Sequence, residues 1–151
     1  MAVERTFVML KPDAVQRGLI GTLLGQIEVK GLKIMAMKMI QVDRELAEIH
    51  YAEHREKPFF EDLIRFVTSS PAVVMIVEGE RAVEVVRGLM GATNPFEAKP
   101  GTIRGDFGLD LTKNLIHGSD SSASADRETR LFFDEQELLD YKLTQTEWTS
   151  G

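Results

Sequence analysis

The sequence contains no cysteine. That excludes a disulfide framework, a thiolate zinc site, an iron–sulfur cluster and a cysteine nucleophile together. Positive charge is not in surplus either: 18 Lys+Arg stand against 24 Asp+Glu, a formal net charge of −6. A sequence-independent nucleic-acid binder is usually basic, and so is a helix that lies on a membrane. Long apolar runs are missing too. The longest extends from Ala72 to Val77, far short of the ~20 residues of a membrane span. The N-terminus, Met1-Ala2-Val3-Glu4-Arg5, has an early acid and no apolar core, so it does not read as a signal peptide. These absences point to a cytoplasmic protein that requires neither membrane nor nucleic acid.

What remains is an ordinary folding composition, 43% hydrophobic and 28% charged over 151 residues. That length suits one domain over 1–151, and no repeat or linker divides it. Arg5 to Leu10 is a short apolar segment stopped at Lys11-Pro12-Asp13, which reads as a strand ended by proline. Leu19, Ile20, Leu23, Leu24 and Ile27 recur at helical spacing, with Gly31 placed to end the helix. Leu32 to Val42 reads as a long strand, with Met35, Met37 and Met39 on one side as adaptable core. Asp43 is placed to cap a helix running to His54. Phe59 to Val67 is a second helical stretch, Ala72 to Val77 a strand covered on both faces, and Arg81 to Met90 an amphipathic helix.

Gly91 to Asn114 shows little periodicity but carries Phe96, Ile103, Phe107, Leu109 and Leu111. That is too apolar for disorder, so it reads as a packed functional loop. Leu115-Ile116-His117 follows as a brief strand. Ser122 is placed to cap a helix over Ala123 to Phe132, and Asp134 with Glu137 to box a short last helix. A small sheet with few helix–strand pairs fits an α+β, ferredoxin-like (βαββαβ) plan: four antiparallel strands with helices on one face. A doubly wound parallel sheet is the alternative on pattern alone.

Neither the Walker pattern nor G-x-G-x-x-G is present. If nucleotides are handled, side chains must hold the phosphates, and Lys11, Arg87 and Arg104 are the candidates. His50-Tyr51-Ala52-Glu53-His54 matches H-x-x-E-H, the pattern of a zinc hydrolase using His50 and His54. Two ligands without a third are a weak site, and a solvated helix face is the plainer reading. His117 differs. Gly118 beside it lacks bulk, Ser119 offers a hydroxyl, and Glu128 lies in the following helix, whose N-terminus favours anions. A carboxylate on one ring nitrogen leaves the other as a nucleophile.

Asn114-Leu115-Ile116-His117-Gly118-Ser119-Asp120 closely resembles the active-site signature of nucleoside diphosphate kinases. The resemblance extends to Lys11-Pro12-Asp13-Ala14, to His50 through Phe60, to Gly91-Ala92-Thr93-Asn94-Pro95 and to Pro100 through Phe107. It implies ping-pong transfer of a γ-phosphate from a nucleoside triphosphate such as ATP or GTP to a nucleoside diphosphate. The phosphoryl group would pass through Nδ1 of His117. The same resemblance implies that Ser119 and Glu128 orient His117, and that Arg87, Arg104, Thr93 and Tyr51 hold the phosphates. It places Lys11 and Asn114 at the sugar hydroxyls and near the transferred group, and Phe59 and Leu111 on either side of the base. Stacking of that kind is nearly blind to base identity. Mg²⁺ would be carried by the nucleotide phosphates and not by a protein cage. A homo-oligomer, in the hexameric form, is implied by the tail through Trp148 and by Pro95 in the long loop. A non-catalytic nucleotide-binding or interaction protein of the same fold is the alternative. One departure stands out: Thr112-Lys113 occupies the place of a common Gly-Arg pair, so strain or an adjusted loop is expected at Thr112.

Overall fold

The computed structural model describes residues 2–150. Strand β1 (Val3–Leu10) leads into the short helix α1 (Pro12–Gln16) and then α2 (Ile20–Lys30). Strand β2 (Lys33–Ile40) is followed by α3 (Arg44–His50), a 3-10 turn over Ala52–His54, and α4 (Phe60–Val67). Strand β3 (Ala72–Glu80) leads into α5 (Ala82–Met90) and α6 (Ile103–Phe107). Strand β4 (Ile116–Gly118), α7 (Ser122–Phe132), a 3-10 turn at Glu135–Glu137 and α8 (Thr146–Thr149) complete the chain. The four strands form one antiparallel sheet in the order β2-β3-β1-β4. That is the expected ferredoxin-like plan. No helix among the described residues is long and apolar enough to cross a membrane.

Helices cover both faces of the sheet, not one. The cause is in the central strands. Phe7, Val8, Met9 and Leu10 of β1 and Val74 to Val77 of β3 are all fully buried, so neither face can be left to water. Alternation sorts them. Phe7, Met9, Val74 and Ile76 pack with Ala47, Ile64 and Phe132 from α3, α4 and α7. Val8, Leu10, Val73, Met75 and Val77 pack with Leu23, Ile27, Val86 and Ile103 from α2, α5 and α6.

Four local expectations need correction. The methionines of β2 do not share a face. The pairing with β3 shifts between Ile34 and Ala36, so Met35 sits in a bulge and joins the core, while Met37 and Met39 are exposed. The helix after Asp43 stops at His50, although Asp43 caps it as expected by accepting from Leu46 N–H at 2.8 Å. Helix α7 is capped by Ser121, which accepts from Ser124 N–H at 3.1 Å, and Ser122 is its first residue. The Asp134–Glu137 capping box is present but closes only a 3-10 turn. Beyond it the tail runs along β2, with Leu139 N–H donating to the Met35 carbonyl at 2.9 Å and the Tyr141 hydroxyl to Ile34 at 2.6 Å.

Candidate active site

His117 is the middle residue of β4 and pairs with Met9 of β1. Strand alternation therefore turns it to the Phe7–Met9 face, where α7 packs. Gly118 turns the other way. A Cβ there would lie 2.7 Å from Met90 Sδ and 2.9 Å from Val86 Cγ1, so the glycine admits α5 against β4. It was read from sequence as clearing space beside the imidazole; its space is instead taken by α5. The close approach brings Arg87 to the strand, where its guanidinium donates to the Gly118 carbonyl at 3.2 Å.

Glu128 is buried on α7 in line with Ala125 and Phe132. Its two oxygens lie 3.1 and 3.0 Å from His117 Nε2. Ser119 Oγ donates to Oε1 of the same carboxylate at 2.5 Å. Burial alone pushes the Glu128 carboxyl up, but the hydrogen bond and charge of His117, with Ser119, hold it below the usual range. An ionised Glu128 only accepts, so His117 Nε2 carries the proton and Nδ1 keeps its lone pair. Ser119, Glu128 and His117 are thus brought together as expected.

Arg87 is exposed, as a cation read alone would be, but the other two candidate cations are not surface charges. Lys11 is 8% exposed and Arg104 4%. Lys11 Nζ donates to Asn114 Oδ1 at 2.8 Å. Burial, then Arg104, pull its ammonium down to about 8 against the opposing charge of Asp13. Arg104 sits on α6, a short helix inside the segment read as a packed functional loop, and Thr102 caps it by accepting from Gly105 N–H. Its guanidinium donates to the carbonyls of Asn114 (3.2 Å), Gly91 (3.3 Å) and Ile116 (2.6 Å). Burial and the nearby Arg87 bring Arg104 down to about 10. Arg104 and Arg87 therefore grip the carbonyls immediately before and after His117. Asn114 Nδ2 donates to Thr93 O at 3.1 Å and Leu111 O at 2.9 Å, which joins the two ends of the long loop.

Tyr51 is buried, and burial followed by the charge of Glu128 pushes its hydroxyl up to about 12, so it stays a donor. The Thr93 side chain is exposed. Phe59 and Leu111 are exposed as well. The phenyl ring lies 5.5 Å from the His54 ring, with Lys57 Nζ 5.6 Å above it. Thr112 keeps a negative φ. Its N–H and that of Lys113 both donate to Asp110 Oδ2, at 3.0 and 2.9 Å, so the loop end is adjusted without strain there. The strain lies at Leu115, with φ of 78°.

His50 is the residue that sequence reasoning undervalued. It is buried, both ring nitrogens lack a partner, and Nδ1 lies 3.7 Å from Glu128 Oε2. Its ring meets His117 edge-on at 4.9 Å between centroids. Burial and His117 hold it down to about 3, so it is neutral. The pattern His50-Tyr51 marked the place, but the helix-face reading paired His50 with His54. His54 lies instead in the 3-10 turn, beside Glu53. Among the described residues, the His/Asp/Glu group close enough to share an ion is His50, His117 and Glu128. That group is centred on the His117–Glu128 pair and does not join His50 with His54.

The family model described as nucleoside diphosphate kinase matches residues 4–138. A nucleoside diphosphate kinase of Archaeoglobus fulgidus is 60% identical over 146 residues, 97% of each chain. One of Staphylococcus epidermidis is 58% identical, covering 97% of this chain and 98% of its own. Among solved structures, a halophilic nucleoside diphosphate kinase of Halobacterium salinarum in complex with CDP superposes with a TM-score of 0.97 at 52% identity. The match covers 99% of this chain and 100% of that one.

Proposed function

We propose how the site works from one established premise: the chain belongs to the nucleoside diphosphate kinase family and is a phosphotransferase. His117 Nδ1 attacks the γ-phosphorus of a nucleoside triphosphate in line. The Nδ1–P bond forms, the bond from phosphorus to the β-bridging oxygen breaks, and the nucleoside diphosphate leaves. A second nucleoside diphosphate then takes the phosphoryl group by the reverse step. The observation that carries this reading is the pairing of both Glu128 oxygens with Nε2, which reserves Nδ1 for the substrate.

The chain's own residues supply positioning and charge, the two things phosphoryl transfer needs most. Glu128, held by Ser119, fixes the imidazole and stabilises the positive charge that grows on it. Arg87 and Arg104 face the phosphate oxygens, with Tyr51 and Thr93 as hydrogen-bond donors. Lys11 and Asn114 bind the sugar hydroxyls and the region of the transferred group. Phe59 and Leu111 receive the base. Mg²⁺, carried by the nucleotide, adds neutralisation of phosphate charge. A complex with CDP in the Halobacterium salinarum relative supports nucleotide binding in this fold. The chain acts as one domain over 1–151, in the cytoplasm, as a subunit of a homo-oligomer of the hexameric kind. Exposed Phe96 and Leu109 in the long loop and Trp148 in the tail support an assembled surface.

The test is labelling. Incubation with γ-³²P ATP should leave acid-labile, base-stable label on the protein, and CDP or GDP should discharge it. His117→Ala should take none. Exchange at the parent rate in His117→Ala overturns the reading, and tight nucleotide binding without phosphoenzyme in the parent favours a non-catalytic relative.

A further inference from the structure

Asp13 is the second residue of α1, between Lys11 and the rest of the first turn. Its Oδ2 accepts from the N–H of Leu115 at 3.1 Å, across 102 residues of sequence. Its Oδ1 is buried and has no partner. Leu115 is the other notable member of this contact. It is fully buried, its φ is 78°, and Ile116 N–H donates to the Asn114 carbonyl at 2.9 Å around it. That is a positive-φ γ-turn, a rare and strained conformation for a residue with a side chain. Such a turn persists only where its surroundings over-determine it.

The surroundings here are one short segment. Lys11 N–H donates to the Leu115 carbonyl at 2.9 Å, and Asp13 accepts from the Leu115 N–H. Both polar groups of the strained residue are therefore held by residues 11 and 13. Pro12 between them has a fixed φ and no N–H to compete. The turn in turn sets its neighbours. It carries the Asn114 side chain to Lys11 Nζ and the Asn114 carbonyl to Arg104, and it lies two residues before His117. A carboxylate beside Lys11 and Arg104 also supplies a counter-charge: it raises the proton affinity of both cations, against their burial.

We infer that Asp13 is a positioning residue for phosphoryl transfer: its carboxylate clamps the strained turn at Leu115 and so sets Asn114, Lys11, Arg104 and the approach to His117. It touches no substrate in this role. The inference rests on the site proposed above, and its experiment separates the two. Asp13→Ala and Asp13→Asn are compared with the parent in single-turnover labelling by γ-³²P ATP, in steady-state kinetics, and in amide hydrogen exchange at Leu115. Asp13→Asn keeps a side-chain oxygen that can accept from Leu115, and so serves as the conservative variant. Asp13→Ala should slow phosphoenzyme formation and kcat by roughly 10- to 100-fold, the range for losing a hydrogen bond to a charged group. KM for nucleotide should change less, and the Leu115 amide should exchange faster. Asp13→Asn should recover most of the rate and the slow exchange. Parent-like kcat with unchanged Leu115 exchange in Asp13→Ala overturns the clamp, as does a rate in Asp13→Asn no better than in Asp13→Ala. A parent that forms no phosphohistidine at His117 overturns the site reading instead, and the positioning role with it.

Discussion

Lys11, Arg104, Asn114, Ser119 and Glu128 are buried, and each is tied to a neighbour by hydrogen bonds. Phe59 and Leu111, at the proposed base end, stand 43% and 60% exposed, with the Lys57 ammonium 5.6 Å over the Phe59 ring. The buried end has a fixed geometry before any ligand arrives. Reorganisation at the moment of reaction is thereby avoided, which is how preorganised charge lowers a barrier. The side chains of Phe59 and Leu111 carry no hydrogen-bonding atom with which to read a base. A molecule built this way discriminates strongly on what happens to a phosphate and weakly on which base carries it.

The largest break in that comparison comes from Glu128. Glu128→Gln keeps the volume but can present its amide N–H₂ to Nε2, so the imidazole is free to put its proton on Nδ1. The rate of phosphoenzyme formation should fall roughly a hundredfold or more, as when an orienting carboxylate is lost from a catalytic histidine. KM for nucleoside diphosphates should hardly move. Stopped-flow or quench-flow labelling reads the first quantity and steady-state kinetics the second. A rate loss confined to KM would place Glu128 outside the chemistry.

The next effect is on stability. His50 protonates near 6.5 in an unfolded chain and at about 3 in the folded one. Between those values the unfolded state binds the extra proton, so stability rises with pH across the window and is lost as acid is added below 6.5. The full loss is about 5 kcal/mol at 1.36 kcal/mol per pH unit. Glu128, held below its ordinary range, adds a loss of the same sign further into acid. His50→Phe places an apolar ring among Phe7 and Phe132 and should flatten the window. Urea titrations at pH 7 and 4.5 measure it; an acid dependence equal to the parent's would show that His50 does not titrate on unfolding.

How much of this was legible beforehand follows the same division. The apolar runs of β1 and β3, Gly31 with its φ of 105° and the Asp43 cap are local signals, and each is where the sequence puts it. His117 and Glu128 were legible because they lie eleven residues apart, on a strand and the helix that follows it. The bulge at Met35 was not, since it depends on pairing with β3 and on the tail reaching the Met35 carbonyl. Nor was the burial of Lys11 and Arg104. A lysine after a strand and an arginine in a glycine-rich stretch read as solvated until the fold closes over them. Helix α6 escaped because it has only five residues, too few for periodicity, and its Thr102 cap is a one-residue signal. Asp13 was visible as part of a motif, but its contact with Leu115 lies 102 residues away.

The smallest effect tests the exposed end. Base stacking on an aromatic ring contributes ~1–3 kcal/mol where the ring is well covered, and a ring as open as Phe59 belongs at the low end. Phe59→Ala should therefore raise KM by about fivefold for each nucleoside diphosphate, a loss of roughly 1 kcal/mol. The informative quantity is the spread among bases. If Phe59 only stacks, the factor should be slightly greater for purines, whose rings overlap it more, and kcat should stay within about twofold for all of them, because stacking carries no hydrogen-bond readout. Steady-state measurements with ADP, GDP, CDP and UDP as acceptors decide it. A loss confined to one base would mean that Phe59 fixes a polar contact elsewhere, and that the open end of the site reads more than a flat surface.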